Sequence, residues 1–398
     1  MPPALTARRV LIIVENEAAL TDHRVSKQIA TLLQAGYFVS AISRTRHGRG
    51  EFWQHPRLRL LEYPAPAEPR GRLGYLAEYG YSLLAATCLS LRVLARGRPG
   101  VVQFCQPPDL YFPLALVFRR LGIRVLVDQR DLLPELYVAR YGAARPGLLK
   151  VLGRLERLSQ RRADRIICVN DYLRERLLAA SGAPQAHVRV IRNGPVLARV
   201  TGVPADEALR RGRRYLCCWV GVMGRQDRLD LLIRSIDYLV HKLGRRDCTF
   251  AIIGFGESRD GAQRLARELG LAEWVTFTGA LAFEDVFRYL ASADLGLDAS
   301  LQFEVSPVKV MEYMAFGVPV VAFNLPETRA IADGAAAWAE PGDVAGHAGA
   351  IDALLRDPRR REELGRAGRA RVRDDLAWEH QAVRYLDIIG QLLARPGG

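Results

Sequence analysis

Residues 304–323 read Glu304-Val-Ser-Pro-Val-Lys-Val-Met-Glu312-Tyr-Met-Ala-Phe-Gly317-Val-Pro319-Val-Val-Ala-Phe323 and contain a helix start, a helix stop and the opening of a strand. Ser306 suits an N-cap and Pro307 the first helical position. Gly317 ends the helix, and Pro319 leads into an apolar run that reads as a strand. A helix that begins this way offers free backbone N–H groups at Val308 and Lys309, which with the macrodipole make an anion site. Lys309 adds a full positive charge in the first turn, where an isolated helix prefers an acid. The misplaced cation costs roughly a few tenths of a kcal/mol unless an anion binds. Glu304 precedes the helix and Glu312 lies on its second turn. Two carboxylates flanking such a start suit a ligand with hydroxyls on either side of a diphosphate. A capped core helix with two solvated glutamates is the plainer reading of the same residues.

Outward from this segment, short apolar runs alternate with amphipathic helical patterns along the whole chain, which argues for an α/β protein with parallel sheets. The first series of expected strands is Val10–Val14, Phe38–Ile42, Val101–Phe104, Val125–Asp128, Arg165–Val169 and Val188–Ile191. Asn193-Gly194-Pro195 stops it. A polar, arginine-rich stretch from Ala198 to Arg214 reads as linker plus a short helix. The second series is Tyr215–Val220, Thr249–Ile253, Val275–Thr278, Leu295–Leu297 and Pro319–Phe323. Trp378–Leu393 reads as one last amphipathic helix. The expected organisation is a Rossmann-like doubly wound domain over 1–197, a second over 198–375, and a C-terminal helix in 376–398 returning to the first. Two such units place a ligand cleft at their C-terminal strand edges.

The chain has 398 residues, 49% hydrophobic and 25% charged, which supplies enough apolar material for real cores. Its longest strongly apolar stretch, Ser82–Leu91, is far short of the roughly 20 residues that cross a bilayer. Arg8 and Arg9 precede only five apolar residues and then Glu15, too few for a secretory signal. The six cysteines make no C-x-x-C pair and the seven histidines do not cluster near them, so neither a disulfide framework nor a zinc site is expected. A reduced, cytoplasmic chain is the expectation. The net charge of +14 is carried unevenly: residues 1–197 hold 30 Lys+Arg against 15 Asp+Glu, and residues 198–398 hold 27 against 28. Of the 57 basic residues 53 are arginine, part of which fits a genomic codon bias, but such a bias does not place the excess in one half.

The segment Ser306-Pro-x-Lys-x-x-Glu-Tyr-Met-Ala-x-Gly-x-Pro-Val-Val-Ala, with Glu304 and Glu312 seven residues apart, resembles the family-4 glycosyltransferases of the GT-B fold. The resemblance implies that Glu312 binds the ribose hydroxyls of a nucleotide sugar. It implies that Glu304 faces the sugar or diphosphate and that Ser306, Pro307, Val308 and Lys309 cradle the phosphates. Tyr215-Leu-Cys-Cys-Trp-Val-Gly221-Val-Met-Gly224-Arg225-Gln-Asp-Arg228 sits where members turn from the first strand of the donor domain into a helix. Many members carry an arginine and a lysine there to hold the diphosphate. This chain has Val222 and Asp227 at those positions, and Arg225 and Arg228 are the expected substitutes. Ile252-Ile-Gly254-Phe-Gly256-Glu257 is similar to the family's Val-Gly-x-Gly-x-x turn, and Val275-Thr-Phe-Thr-Gly279-Ala-Leu281 to its Val-x-Phe-x-Gly-x-Leu strand end. Both are implied to border the nucleobase.

In the first half, Asp128-Gln-Arg130-Asp131-Leu-Leu-Pro-Glu135 directly follows an apolar strand. Relatives often have a histidine facing the transferred sugar where this chain has Arg130. Arginine cannot serve as a general base, but it can hold charge developing on the leaving phosphate. Glu304, Arg130 and Asp131 are therefore the catalytic candidates. Asp22 and Arg24 match an Asp-x-Arg-Val branch of the family and, with Gln106, Asp109 and Glu135, are the acceptor-side candidates. Helix N-termini and fixed cations can stabilise a departing nucleoside diphosphate, and no Asp-x-Asp metal motif is evident. No cofactor and no metal are expected, and the family implies retention at the anomeric carbon.

The basic excess bears on the acceptor. Arg44, Arg46, Arg49, Arg70, Arg72, Arg92, Arg96 and Arg98 flank the apolar, helical stretch Tyr75–Leu94, a pattern that suits an anionic membrane surface. The expected function is transfer of a hexose-type sugar from a nucleoside diphosphate to a lipid-linked glycan at the cytoplasmic face, with a soluble small-molecule acceptor as the alternative. A nucleic-acid partner is not expected, because the arginines are not interleaved with aromatics. A nicotinamide-dependent dehydrogenase lacks its Gly-x-Gly-x-x-Gly fingerprint here. Within the fold, a sugar-nucleotide epimerase or a glycan phosphorylase is the nearer rival.

Overall fold

A computed structural model describes residues 8–15, 17–45, 55–64, 71–141, 146–181, 184–302 and 306–394. It separates into two compact units, Met1–Arg192 with Gln381–Gly398, and Asn193–His380. The first contains strands β1 (Arg9–Ile13), β2 (Phe38–Arg44), β3 (Leu58–Tyr63), β4 (Val101–Gln106), β5 (Arg124–Gln129), β6 (Arg165–Cys168) and β7 (Val188–Val190) in a parallel sheet ordered β3-β2-β1-β4-β5-β6-β7. The second contains β8 (Tyr215–Val222), β9 (Cys248–Phe255), β10 (Val275–Gly279), β11 (Leu295–Asp298), β12 (Val320–Phe323) and β13 (Ala336–Ala339), parallel and ordered β10-β9-β8-β11-β12-β13.

These strands are continuous apolar runs because helices cover both faces of each sheet. Every residue of β4 is buried, and Val10, Leu11, Ile12 and Ile13 of β1 are each at most 1% exposed. The two-residue period of a strand divides the second sheet into two cores. Cys217, Trp219, Phe250 and Ile252 fill one face, and Leu216, Cys218, Ala251 and Ile253 the other.

Two strands escape the sequence reading. β3 is an edge strand carrying Arg59 and Glu62, so its pattern is broken by charge. β13 is Ala336-Ala-Trp-Ala339, a sequence of low strand propensity that is extended because it pairs with β12. The helix over Tyr75–Leu94 runs longer, from Gly71 to Arg96.

The C-terminal helix, Trp378–Ala394, is shared. The Trp378 N–H donates to the Pro195 carbonyl at 2.8 Å, within the second unit. Beyond Gln381 the helix belongs to the first, where Gln381 Oε1 accepts from the Arg192 N–H at 3.1 Å and Tyr385 Oη donates to Gln103 Oε1 at 2.6 Å. The unit boundaries thus fall at 192/193 and 380/381, against the sequence expectation of 197/198 and 375/376.

Candidate functional site

In the second unit the helix Val308–Phe316 is pinned beneath the strand ends by Tyr313. This fully buried side chain accepts from the Val220 N–H at 3.0 Å and donates to the Leu297 carbonyl at 3.3 Å. Gly296 leaves room for it: a Cβ there would stand 2.3 Å from the ring. Lys309 lies one turn earlier on the same face, so anchoring Tyr313 delivers the ammonium to the tips of β8 and β11. There Nζ lies 4.3 Å from the centroid of the Trp219 ring, 2.7 Å from Asp227 Oδ1 and 3.7 Å from Asp298 Oδ1. Burial raises the Asp298 carboxyl above its ordinary range, and the Lys309 charge offsets this only in part. Glu312 is half-buried on the next turn.

The helix start differs from the expectation. Pro307, with φ −78° and ψ 80°, occupies the cap position, and the first helical residue is Val308. The Val308 N–H is taken by the Ser306 carbonyl at 2.9 Å, and Ser306 Oγ is buried with no hydrogen bond. Ser306 is therefore not the N-cap, Pro307 is not helical, and Val308 does not present a free N–H. Pro307 is the centre of an inverse γ-turn, whose closing bond from the Val308 N–H stands where a side-chain cap was expected. Glu304 lies outside the described residues.

The turns after β8 and β9 approach each other closely. A Cβ on Gly254, at φ +136°, would stand 1.9 Å from the Gly221 carbonyl oxygen, and one on Gly256 2.6 Å from the Met223 oxygen. Only glycine permits this contact. Val222 and Phe255 are register partners at these tips, 62% and 57% exposed. Arg225 is 82% exposed, with Nε 3.7 Å from Glu257. Arg228 makes two bonds of 2.8 Å to Asp230, so its charge is spent on a neighbour. Leu281 is partly buried against the core layer that holds Val310 and Met314.

In the first unit the candidates part ways. Arg24 is 3% exposed, and its Nε donates to both Asp128 oxygens, at 3.0 and 2.9 Å. Its Nη1 donates to the Ile191 carbonyl at 2.6 Å. Arg24 thus ties strand ends together beneath the surface and is corrected from acceptor contact to internal tie. Asp22 caps the helix His23–Gln34 through the N–H groups of Arg24 and Val25, both at 2.9 Å, and bonds Arg130. Burial alone would raise the Asp22 carboxyl; Arg130 and the two backbone donors outweigh it and hold it below its usual range. Arg130 keeps Nε and Nη2 buried without an acceptor. Asp131 is half-buried and raised by burial, with Arg130 pulling it back.

The remaining acceptor candidates lie in different surroundings. Gln106 is buried and donates to Ser159 Oγ, as a packing link between β4 and the helix Pro146–Arg161. Asp109 is fully buried; burial, reinforced by the charge of Glu156, pushes its carboxyl well above the ordinary range. Glu135 pairs with Arg176 at 2.6 Å on an exposed helix face. The sequence reading missed a different group at the C-terminal ends of β1 to β3. Glu15 is 1% exposed and accepts from Ser82 Oγ at 3.0 Å and from Arg44, which also bonds Glu78 at 2.6 Å. Each of these side chains ends a strand or faces one, a signal that composition hides. Arg44 is therefore neutralised rather than offered to a lipid surface, and Arg46, Arg49 and Arg70 lie outside the described residues, as does the side chain of Arg72. Among the described residues no group of three or more His, Cys, Asp and Glu is placed to hold a metal ion.

Comparison with known proteins agrees with this architecture. The family model described as "Glycosyl transferase 4-like domain" matches residues 22–194, and the one described as "Glycosyl transferases group 1" matches 214–357. The chain is 31% identical over 244 residues to a GDP-mannose-dependent alpha-(1-6)-phosphatidylinositol monomannoside mannosyltransferase of Mycolicibacterium smegmatis, covering 57% of this chain and 62% of that one. It is 27% identical over 245 residues to a GDP-mannose-dependent monoacylated alpha-(1-6)-phosphatidylinositol monomannoside mannosyltransferase of Corynebacterium glutamicum, with the same two coverages of 57% and 62%. The matched part thus spans about three fifths of the length of these relatives. A solved structure of sucrose-phosphate synthase from Thermosynechococcus elongatus superposes with a TM-score of 0.77 at 19% identity, over 97% of this chain and 99% of that one, and shares the fold. Two parallel-sheet units, a helix start built around Lys309 and Glu312, and matching models over both units together establish that the chain belongs to the family-4 glycosyltransferases of the GT-B fold.

Proposed function

We propose that this protein transfers a hexosyl group, with mannosyl the favoured case, from a nucleoside diphosphate to a hydroxyl of a glycolipid or lipid-linked glycan. The observation that carries this reading is the placement of Lys309 at the strand tips by the buried Tyr313, with Glu312 one turn on. In this reading the Lys309 ammonium meets the diphosphate and Glu312 accepts from the ribose hydroxyls. Two relatives are named for GDP-mannose, which makes guanosine the base to try first. The leaving diphosphate is stabilised by fixed positive charge and by the helix start. We take transfer to proceed with retention and without a required metal.

The test is thermal melting against GDP, UDP, ADP and dTDP, repeated with Glu312→Ala. One nucleotide is expected to stabilise the protein by roughly 1–3 kcal/mol at about 10 to 100 times its Kd, and the variant to lose the effect. No shift with any of the four would sink the donor reading.

A membrane-facing acceptor is favoured by the helix Gly71–Arg96. Tyr81, Leu84, Cys88, Leu91 and Ala95 are exposed along it at helical spacing, and Arg92 and Arg96 are exposed beside them. An apolar row rimmed by cations suits an anionic lipid face, each cation near it contributing about 1 kcal/mol. No described helix is long and apolar enough to cross a membrane. Flotation with vesicles containing phosphatidylglycerol is expected to carry the protein, with Leu84→Glu/Leu91→Glu reducing it several-fold. Equal partitioning onto neutral and anionic vesicles would instead favour a soluble acceptor.

A further inference from the structure

The Lys309 ammonium, which the donor reading assigns to a diphosphate, already has anionic partners within its own unit. Nζ donates to Asp227 Oδ1 at 2.7 Å, has Asp298 Oδ1 at 3.7 Å, and lies over the Trp219 ring. The Lys309, Asp227 and Asp298 side chains are 14%, 15% and 5% exposed, so water screens them little. A phosphate oxygen approaching Lys309 finds N–H donors still open on the ammonium, but it brings further negative charge against two carboxylates that water screens little.

The two carboxylates differ in freedom. Asp298 ends a buried strand and is fixed by the sheet. Asp227 ends a single short turn, Arg225–Asp227, whose first residue is 82% exposed. One Asp227 oxygen accepts from the Gly224 N–H at 3.2 Å and the other faces Lys309. A change in the Asp227 side chain can release the ammonium while the strands stay in place.

We propose that Asp227 is an internal competitor for the phosphates: its carboxylate occupies Lys309 in the free protein, leaves when a nucleoside diphosphate binds, and so sets the affinity of the donor site. This role rests on the donor reading, in which the diphosphate reaches Lys309. The opposing role is positioning, in which Asp227 holds Lys309 where the ligand needs it. The two predict opposite signs.

The experiment is isothermal titration of GDP and of UDP into the full-length wild type, Asp227→Asn, Lys309→Met and the double variant, each in EDTA and in magnesium chloride. Asparagine keeps an oxygen for the Gly224 N–H and removes the charge; Asp227→Ser serves if the asparagine variant melts below the wild type. The expected result is at least a 10-fold lower Kd for Asp227→Asn, shrinking to less than 3-fold in the Lys309→Met background. Binding by Asp227→Asn where the wild type shows none supports the proposal equally. An unchanged or weaker Kd in Asp227→Asn overturns it in favour of positioning. A wild-type affinity that rises with magnesium, and no longer does in Asp227→Asn, also overturns it, because Asp227 would then carry a cation. If nucleotide binding is lost in Glu312→Ala but indifferent to Asp227, the donor reading stands and this proposal alone fails. If neither GDP nor UDP binds wild type or Asp227→Asn, and ADP and dTDP do not bind either, both fail.

Discussion

Asp128→Ala is expected to cost the first unit about 3–5 kcal/mol of stability. Asp128 is fully buried and accepts from Arg24 Nε and from Gln28 Nε2 at 2.9 Å, with Arg130 Nε 4.0 Å away. Gln28 Oε1 in turn accepts from Gln103 at 2.8 Å, and Gln103 from Tyr385. Removing the carboxylate strands the Arg24 guanidinium in a site with almost no access to water. The penalty is the uncompensated charge, not the modest net value of the pair. A domain whose whole margin is about 5–15 kcal/mol loses a fifth or more of it. Hydrogen-exchange mass spectrometry reads this unit by itself, and amides of β1, β4 and β5 should exchange two to three orders of magnitude faster, about tenfold per 1.4 kcal/mol. Arg24→Met/Asp128→Leu, which removes both charges, should recover most of the loss. Unchanged protection in Asp128→Ala would show that the network is not holding these strand ends.

Gly254→Ala is expected to be strongly damaging to the second unit. Its Cβ would meet the Gly221 oxygen at 1.9 Å, and the backbone there has φ +136°. Neither partner can give way, because both are main chain at the paired tips of β8 and β9. Backbone strain and overpacking each cost about 1–3 kcal/mol, so a loss of roughly 2–6 kcal/mol is expected. Nucleotide binding should weaken by at least tenfold at temperatures where the variant is still folded. Gly261→Ala is the control: it lies in the helix Arg259–Glu268 with nothing within 4 Å of its Cβ, and should be neutral or stabilising by about 0.5–1 kcal/mol. A Gly254→Ala variant that melts with the wild type would remove the basis for the close approach.

The strands that could be read from the sequence are those buried on both faces, because burial forces a continuous apolar run. β3 and β13 could not, one broken by edge charges and the other made of alanines extended only by their neighbour. The glycine turns and the helix of Lys309 were legible as local patterns. Their partners were not: Lys309 meets Asp227 across 82 positions and Arg24 meets Asp128 across 104. Asp22 and Arg24 look alike as polar residues after β1, yet one caps a helix and the other lies in the core. Motif spacing indicates which groups share an edge of the sheet. It does not indicate which of them have already been neutralised there.

The shared C-terminal helix sets an order of events during synthesis. The second unit, Asn193–His380, is contiguous, so all of its residues have been synthesised before the ribosome reaches Gln381. The first unit begins earlier but is finished later. Until Tyr385 and its neighbours are made, the Gln103 amide oxygen has no phenol to accept from, and the face of the first sheet that the helix covers stays open. The part of the chain translated first is thus the last to be completed.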